Sequence, residues 1–307
     1  MTETMSGPLY QTEKGILYHG VSEEILQSKW FEPLLHNVNL IFTSPPFPLK
    51  KKKAYGNLNG DAYIEWLAGF ADIFNELLAE DGSIVIELGN SWVSGIPAMS
   101  IESLEALLKL KKRGDFFLCQ EFIWHNPATL PSPVQWVNVE RIRVKNSFSR
   151  LWWLSKTPRP KADNRNVLQE YSPSMKKVLK SKKYNSGKRP SGHKVGETSF
   201  LKDNGGAIPS NVLYISNSTS SDPYLEYCKT HDIKHHPARM PVDLAKFFIS
   251  FLTSENDMVV DPFAGSNVTG WAAEGLGRRW RSVEKEEMYA TASKARFPNA
   301  WNIDRNR

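Results

Sequence analysis

Residues 258–267 read Met-Val-Val-Asp-Pro-Phe-Ala-Gly-Ser-Asn: an apolar run into Asp261, a proline, a glycine-bearing turn, and then a helical pattern from Asn267 to Gly275. A strand, a tight turn and a helix start in that order build a crevice at the carboxyl edge of an open α/β sheet, where nucleotide-like cofactors bind. The next strand, Trp280 to Glu284, ends in a carboxylate 23 residues beyond Asp261. Such a group can accept both hydroxyls of a ribose through charge-assisted hydrogen bonds. The phosphate-cradling Gly-x-Gly-x-x-Gly pattern is absent, which disfavours a dinucleotide or nucleoside triphosphate. Alone, each feature is weak, because Asp-Pro turns after strands are common punctuation.

Outward from this stretch the chain alternates strands and helices. Upstream, His36 to Thr43 (HNVNLIFT) reads as a buried strand stopped by Pro-Pro. Asp61 to Ala79 has helical periodicity, an Asp81-Gly82 turn leads into a strand at Ser83 to Leu88, and Ser100 to Lys112 is a second amphipathic helix. Phe116 to Trp124 and Leu151 to Ser155 are further strands; helices at Val242 to Thr253 and Lys285 to Ala295 complete the pattern. Alternation of this kind predicts a mostly parallel sheet with helices on both faces. It stops between residues 158 and 232, a stretch rich in Lys, Ser, Asn, Gly and Pro and too long for an ordinary connection. The expected organisation is therefore residues 1–157 as one half of the main domain, 158–232 as an inserted recognition region, and 233–307 as the cofactor-binding half.

Thr43-Ser44-Pro45-Pro46-Phe47, at the end of the first strand of this series, is the second chemical motif. Two prolines fix the backbone and remove two N–H donors, so the carbonyls of Ser44 and Pro45 can be aimed outward. An exocyclic amino group offers two donors; a hydroxyl and a carbonyl can accept both and leave the nitrogen lone pair facing an electrophile. Phe47 supplies a ring on which a planar base can stack. By itself the motif would be a proline-rich turn with a core phenylalanine.

Composition narrows the class. The 307 residues are 40% apolar and 23% charged, with a formal charge of +6. No run approaches the roughly 20 apolar residues of a membrane span, and the first residues, MTETMSGPLYQTEKG, lack an apolar signal core. Cys119 and Cys228 are too few for a disulfide framework or a four-thiolate zinc site, so no metal is expected and a reducing cytoplasm is the natural setting. Between Lys156 and Lys202, 13 Lys or Arg face 3 Asp or Glu. That excess suits a polyanionic partner, although a solvated loop would show it too.

The joint occurrence of the two motifs resembles the amino-methyltransferase family of DNA modification enzymes, whose hallmarks are a Ser/Asp-Pro-Pro-Tyr/Phe loop and an Asp-Pro-Phe-x-Gly loop. Their order here, with an insertion between them, is similar to the circularly permuted β group. His236-Pro237-Ala238-Arg239-Met240-Pro241 resembles the family segment that walls in the methionine end of the cofactor. LIFTSPPF, WHNPATLPSP, VQWVN, RIRVKN, WWLSKT, RPSGH and KDNGG extend the likeness over nearly the whole chain. One departure is Val21 after His19-Gly20, where the family commonly carries an acidic residue.

The resemblance implies a Rossmann-like, seven-stranded mixed α/β sheet with a target-recognition insertion. It implies S-adenosyl-L-methionine as methyl donor, with Asp261, Pro262, Phe263, Ala264, Gly265, Ser266, Glu284, His236, Pro237, Arg239 and Pro241 as candidate cofactor residues. The substrate would be double-stranded DNA at a short palindromic site. In the family the Ser form of the catalytic loop goes with cytosine N4, so Ser44, Pro45, Pro46 and Phe47 are the candidate catalytic residues. The target base must leave the duplex to be reached. Glu87, ending its strand, is a candidate proton acceptor through Ser44 or equally a structural carboxylate capping nearby N–H groups. Candidate DNA contacts are Lys50, Lys51, Lys52 and Lys53 after the catalytic loop, and Arg189, Ser191, His193, Lys202 and Asn204 in the insertion. The expectation is a monomer in the cytoplasm, associated with the nucleoid, beside a separately encoded restriction endonuclease. Adenine N6 methylation, a noncatalytic nucleic-acid-binding role and a metabolite methyltransferase are the competing readings.

Overall fold

The computed structural model of the protein describes residues 7–47, 58–217 and 221–303. The strands in chain order are β1 Gly7–Gln11, β2 Gly15–His19, β3 Val38–Thr43, β4 Leu78–Leu88, β5 Ser91–Trp92, β6 Met99–Ser100 and β7 Phe117–His125. They continue with β8 Phe148–Ser155, β9 Gly187–Lys188, β10 Lys194–Val195, β11 Val212–Tyr214, β12 Met258–Asp261, β13 Arg279–Glu284 and β14 Trp301–Asn302. The helices are α1 Ser22–Leu26, α2 Gly60–Leu77, α3 Glu102–Arg113, α4 Pro173–Ser181, α5 Pro223–Thr230, α6 Val242–Leu252, α7 Val268–Gly275 and α8 Glu287–Ser293.

Ten strands form one sheet in the order β11-β7-β8-β4-β3-β12-β13-β2-β1-β14. The seven contiguous strands from β7 to β2 form the mixed sheet expected of the fold class; β11 extends one edge, and β1 with β14 extends the other. β12 lies parallel between β3 and β13, with Val259 opposite Leu40 and Val260 opposite Ile41. The four central parallel strands β4, β3, β12 and β13 are therefore supplied by two distant sequence segments. Within the seven, the antiparallel member is β8, which pairs with both β4 and β7; β1 likewise runs antiparallel to β2 and β14.

Strand alternation sends successive side chains to opposite faces. Ile41, Ile84, Ile86 and Val260 join α2 and α3 in one core, while Leu40, Phe42, Val85 and Val259 join α6 and α7 in the other. Strands covered on both faces read as continuous apolar runs, which is why VNLIFT and MVVD were legible as strands. The Asp81-Gly82 turn is an excursion within β4: the pairing with β3 jumps from Val38–Leu78 to Leu40–Ser83.

Contacts divide the chain into two compact units, residues 1–162 with 211–307, and residues 163–210. The stretch 158–232 read as an insertion thus spans both. Its last part carries β11, which pairs parallel with β7, and α5, whose N-cap Asp222 accepts from the Tyr224 N–H. A three-residue strand and a short polar helix leave too weak a periodicity to interrupt a basic, Ser- and Lys-rich stretch.

In the 163–210 unit, Ser172 caps α4 and Pro173 opens it. β9 and β10 form a hairpin whose turn is closed by Arg189 N–H donating to the His193 carbonyl at 2.7 Å. A bridge joins Gln169 to Ala207, and Tyr171 Oη both donates to Asp203 and accepts from Asn204 N–H.

Candidate active site

Both sequence motifs end strands of the same sheet edge, and β3 and β12 are neighbours. Ser44, Pro45, Pro46 and Phe47 from the first motif and Asp261, Pro262, Phe263, Ala264, Gly265 and Ser266 from the second line one cavity of about 680 Å³. Glu87 from β4 and Glu284 from β13 line it too, as do His236, Pro237 and Arg239. Pro241 does not; it is the buried residue that caps α6.

Asp261 ties the two loops together. Its Oδ1 accepts from Thr43 Oγ1 at 2.7 Å and from the Phe263 N–H at 3.1 Å, and its Oδ2 accepts from Thr269 Oγ1 at 2.6 Å. Burial pushes its pKa up, and the Thr269 and Thr43 hydroxyls and the Phe263 amide pull it back. A carboxylate this occupied fixes the geometry of the cavity wall rather than offering a free charge to a ligand. The Ser22 hydroxyl adds a bond to the Pro262 carbonyl at 2.5 Å.

Glu284 is held at both oxygens: the Gly265 N–H donates to Oε2 at 2.6 Å and the Glu286 N–H to Oε1 at 2.8 Å. Burial outweighs both bonds and pushes its carboxyl up to about 7, with Glu286 and Asp261 adding repulsion. Gly265 has φ +53°, and a Cβ there would meet the His236 ring at 3.3 Å. Only a glycine turns the chain here without strain or crowding.

In the other half, Ser44 Oγ donates to Glu87 Oε2 at 2.5 Å. Glu87 is 5% exposed; burial raises its pKa, and the Ser44 and Ser149 hydroxyls lower it. The Phe47 ring lies against Gly89, where a Cβ would sit 2.9 Å from two ring carbons. A serine hydroxyl, an aromatic face and a buried carboxylate of raised pKa therefore converge on one side of the cavity. Burial makes Glu87 a readier proton acceptor than an exposed carboxylate.

Several lining residues, Val21 apart, had no sequence motif. Val21, Ser22 and Glu23 at the start of α1, Tyr63 and Trp66 on α2, and Ser149 on β8 all face the cavity. Glu23 accepts a hydrogen bond from the Trp66 indole, so an acidic group lies two residues beyond Val21. Behind the wall, the Arg296 guanidinium is 2% exposed. It donates to the Ser266 carbonyl at 2.7 Å and to Asp222 Oδ2 at 2.9 Å, and Arg239 reaches the same oxygen at 3.3 Å. Helix periodicity flags Tyr63 and Trp66 as apolar, and nothing in spacing says which of them meets a cavity.

Trp124 borders the cavity, but His125 is not among its lining residues. Trp152 and Trp153 pack with the cores rather than the site. Arg189, Ser191 and His193 lie in the β9–β10 turn, and Lys202 and Asn204 in the Gly-rich segment of the 163–210 unit; all but Arg189 are exposed. Lys50 to Lys53 lie outside the described residues. Among the described residues no His, Cys, Asp and Glu cluster could hold a metal ion, and no helix is long and apolar enough to cross a membrane.

Comparison with known proteins agrees with this arrangement. A family described as DNA methylase, of the N6 and N4 methyltransferases, matches residues 38–295. The Type II methyltransferase M.PvuII of Proteus hauseri is 47% identical over 94% of this chain and 85% of its own length. The solved structure of a cytosine-N4-specific PvuII DNA methyltransferase superposes with a TM-score of 0.75 and 39% identity, covering 96% of this chain and 90% of that one. A protein of Thermus thermophilus, solved with S-adenosyl-L-methionine, shares the fold at 18% identity and a TM-score of 0.57, covering 95% of this chain and 97% of that one.

Proposed function

Because the chain belongs to the N6 and N4 DNA methylase family, we propose that it transfers a methyl group from S-adenosyl-L-methionine to N4 of cytosine in duplex DNA. The observation that carries this reading is the single cavity in which the Ser44-Pro-Pro-Phe47 loop faces the 261–266 turn, with Ser44 bonded to buried Glu87. The residues fit the cofactor. Glu284 keeps acceptor capacity for ribose hydroxyls beside its two backbone bonds, and the Gly265 turn keeps the wall free of a side chain. Glu23, beside Val21, supplies acidity near the start of α1. Bound there, S-adenosyl-L-methionine supplies an electrophilic methyl group.

The chain's own residues do the rest. Phe47, braced on Gly89, stacks the extruded base. Ser44 Oγ and the Pro45 carbonyl accept the two N4 hydrogens, which holds the nitrogen lone pair toward the donor side of the cavity. As nitrogen forms its bond to carbon it becomes acidic; Ser44 Oγ takes one of its protons and passes its own to Glu87. No covalent link to the protein is needed. The basic 163–210 unit, including Arg189, Ser191, His193, Lys202 and Asn204, contacts DNA, with Lys50 to Lys53 gripping the backbone near the catalytic loop.

The chain works as a cytoplasmic monomer on a short palindromic site, one strand per event, and pairs with a separately encoded restriction endonuclease, in keeping with the Type II naming of its relative. Sequencing that detects modified bases in DNA from expressing cells, with mass spectrometry of its nucleosides, tests this. N4-methylcytosine at one motif is the expected result. N6-methyladenine would move the reading to the adenine branch, and unmodified DNA would refute it. Ser44→Ala should depress turnover far more than cofactor affinity; equal loss of both would remove its assigned role.

A further inference from the structure

Between β7 and β8 the chain makes a long arch, closed at its base by the Asn126 N–H donating to the Ser147 carbonyl at 3.0 Å. It is an ordered segment. Ile142 and Arg143 N–H groups both donate to the Trp136 carbonyl, Trp136 packs on Trp92 with centroids 5.2 Å apart, and Arg143 Nη2 donates to the Pro97 carbonyl at 2.7 Å. Yet its apolar residues point outward: Val144 is 88% exposed, Val139 64% and Ile142 48%. An ordered segment that displays valine and isoleucine has them there for a partner.

Position and charge say which partner. Asn146, two residues from Val144, accepts from Asn90 Nδ2 at 3.1 Å; Arg150 Nη1 bonds Asn90 Oδ1 at 3.1 Å. Asn90 follows Gly89, against which Phe47 rests, and lies three residues beyond Glu87. The C-terminal foot of the arch is thus tied to the Gly89-Asn90 segment that follows Glu87 and backs the Phe47 ring. Between residues 138 and 145 the only acidic residue is Glu140, against Arg141, Arg143 and Lys145. Arg141 has φ +58°, a left-handed conformation held by the Trp136 carbonyl bonds that follow it. A second copy of this chain, also carrying +6, would be repelled by that crest, whereas a polyphosphate would be drawn to it.

We propose that the crest of the arch enters duplex DNA at the methylated site, with Val144 occupying the stack vacated by the extruded base and Arg141 on a flanking phosphate. The proposal rests on the DNA-methylation reading. Apolar side chains are used elsewhere as wedges between base steps, where they offset the cost of unstacking, and an extruded base leaves such a gap.

The test uses the full chain and a duplex carrying the target cytosine found by modified-base sequencing, either correctly paired or mispaired. A mispaired base costs less to extrude, so Val144→Ala should lower kcat/KM about ten-fold on the paired duplex and recover to within about two-fold of the parent on the mispaired one. Arg141→Ala should reduce the slope of log affinity against log salt by about 0.9 on both duplexes. Leu108→Ala, an exposed apolar change on α3 away from the arch, should alter neither. Calorimetry with S-adenosyl-L-methionine should find unchanged affinity in Val144→Ala, showing an intact fold. Equal loss on both duplexes, no loss on the paired one, or a parent dimer in sedimentation that Val144→Ala dissociates would each overturn the proposal. Absence of transfer by the parent chain to any DNA would instead take down the methylation reading, and this inference with it.

Discussion

Glu284 should make cofactor affinity depend on pH. Its carboxyl is 8% exposed and pushed up to about 7, because burial outweighs the bonds from the Gly265 and Glu286 amides. Ribose hydroxyls are donors and require the ionised form. With a pKa near 7 about one molecule in eleven is ionised at pH 6 and about half at pH 7. Affinity should therefore weaken about ten-fold at pH 6 and about two-fold at pH 7 relative to a plateau above pH 8. Calorimetric titration with S-adenosyl-L-methionine across this range, in two buffers of different ionisation enthalpy, should show close to one proton released per cofactor bound at pH 6. Glu284→Gln should bind more weakly and lose this dependence. The ligand's own titration is common to both proteins, so their difference isolates Glu284. In the free protein the same raised pKa contributes stability that is full below the unfolded value and lost as pH rises through about 7. A Kd that changes less than two-fold between pH 8 and pH 6, or a Glu284→Gln protein with the parent's slope, would refute the reasoning.

Three further outcomes follow from the same geometry. Glu87→Gln keeps an acceptor for Ser44 but cannot take a proton, so kcat should fall by about 10² to 10⁴ with cofactor Kd unchanged. Because burial raises the Glu87 pKa, the parent kcat should decline as pH falls through that raised value, a limb the variant should lack in stopped assays. Gly89→Ala places a methyl 2.9 Å from the Phe47 ring; displacing that ring should cost about ten-fold in kcat/KM for DNA while leaving calorimetric cofactor affinity intact. Arg296→Met leaves buried Asp222 with the longer Arg239 contact as its one cationic partner beside the Tyr224 N–H, and frees the Ser266 carbonyl, and urea denaturation should show a loss of about 3–5 kcal/mol.

The central strands were legible because each is covered on both faces: Leu40 to Phe42 and Met258 to Val260 are apolar runs, and their breakers, Pro45-Pro46 and Pro262, stand within two residues of the strand ends. The pairing of those two strands was not legible from periodicity, since nothing in either run specifies its neighbour. The β1–β2 hairpin and β11 escaped because a five-residue half-buried strand and a three-residue strand carry too few alternations to stand above background. At the site, Ser44, Phe47, Glu87 and Glu284 could be read because each sits at or just past a strand end. Glu23, Trp66 and Ser149 could not, because their approach to the cavity is set by how α1, α2 and β8 pack. The occupied state of Asp261 was equally hidden: its partners Thr43 and Thr269 are ordinary residues until the fold brings them to 2.7 and 2.6 Å.

The seat of β12 between β3 and β13 has a consequence for synthesis. Thr43 and Asp261 are separated by 218 positions, so at about 5–20 residues per second the ribosome needs roughly 10 to 45 seconds to deliver the second after the first. Throughout that interval β3 has one lengthwise row of amide and carbonyl groups with no native partner, beside the bare side chains of Leu40 and Phe42. An open edge of that kind invites pairing with a neighbouring nascent chain, so crowding on a polysome, more than the stability of the finished molecule, should set how much of this protein a cell recovers in usable form.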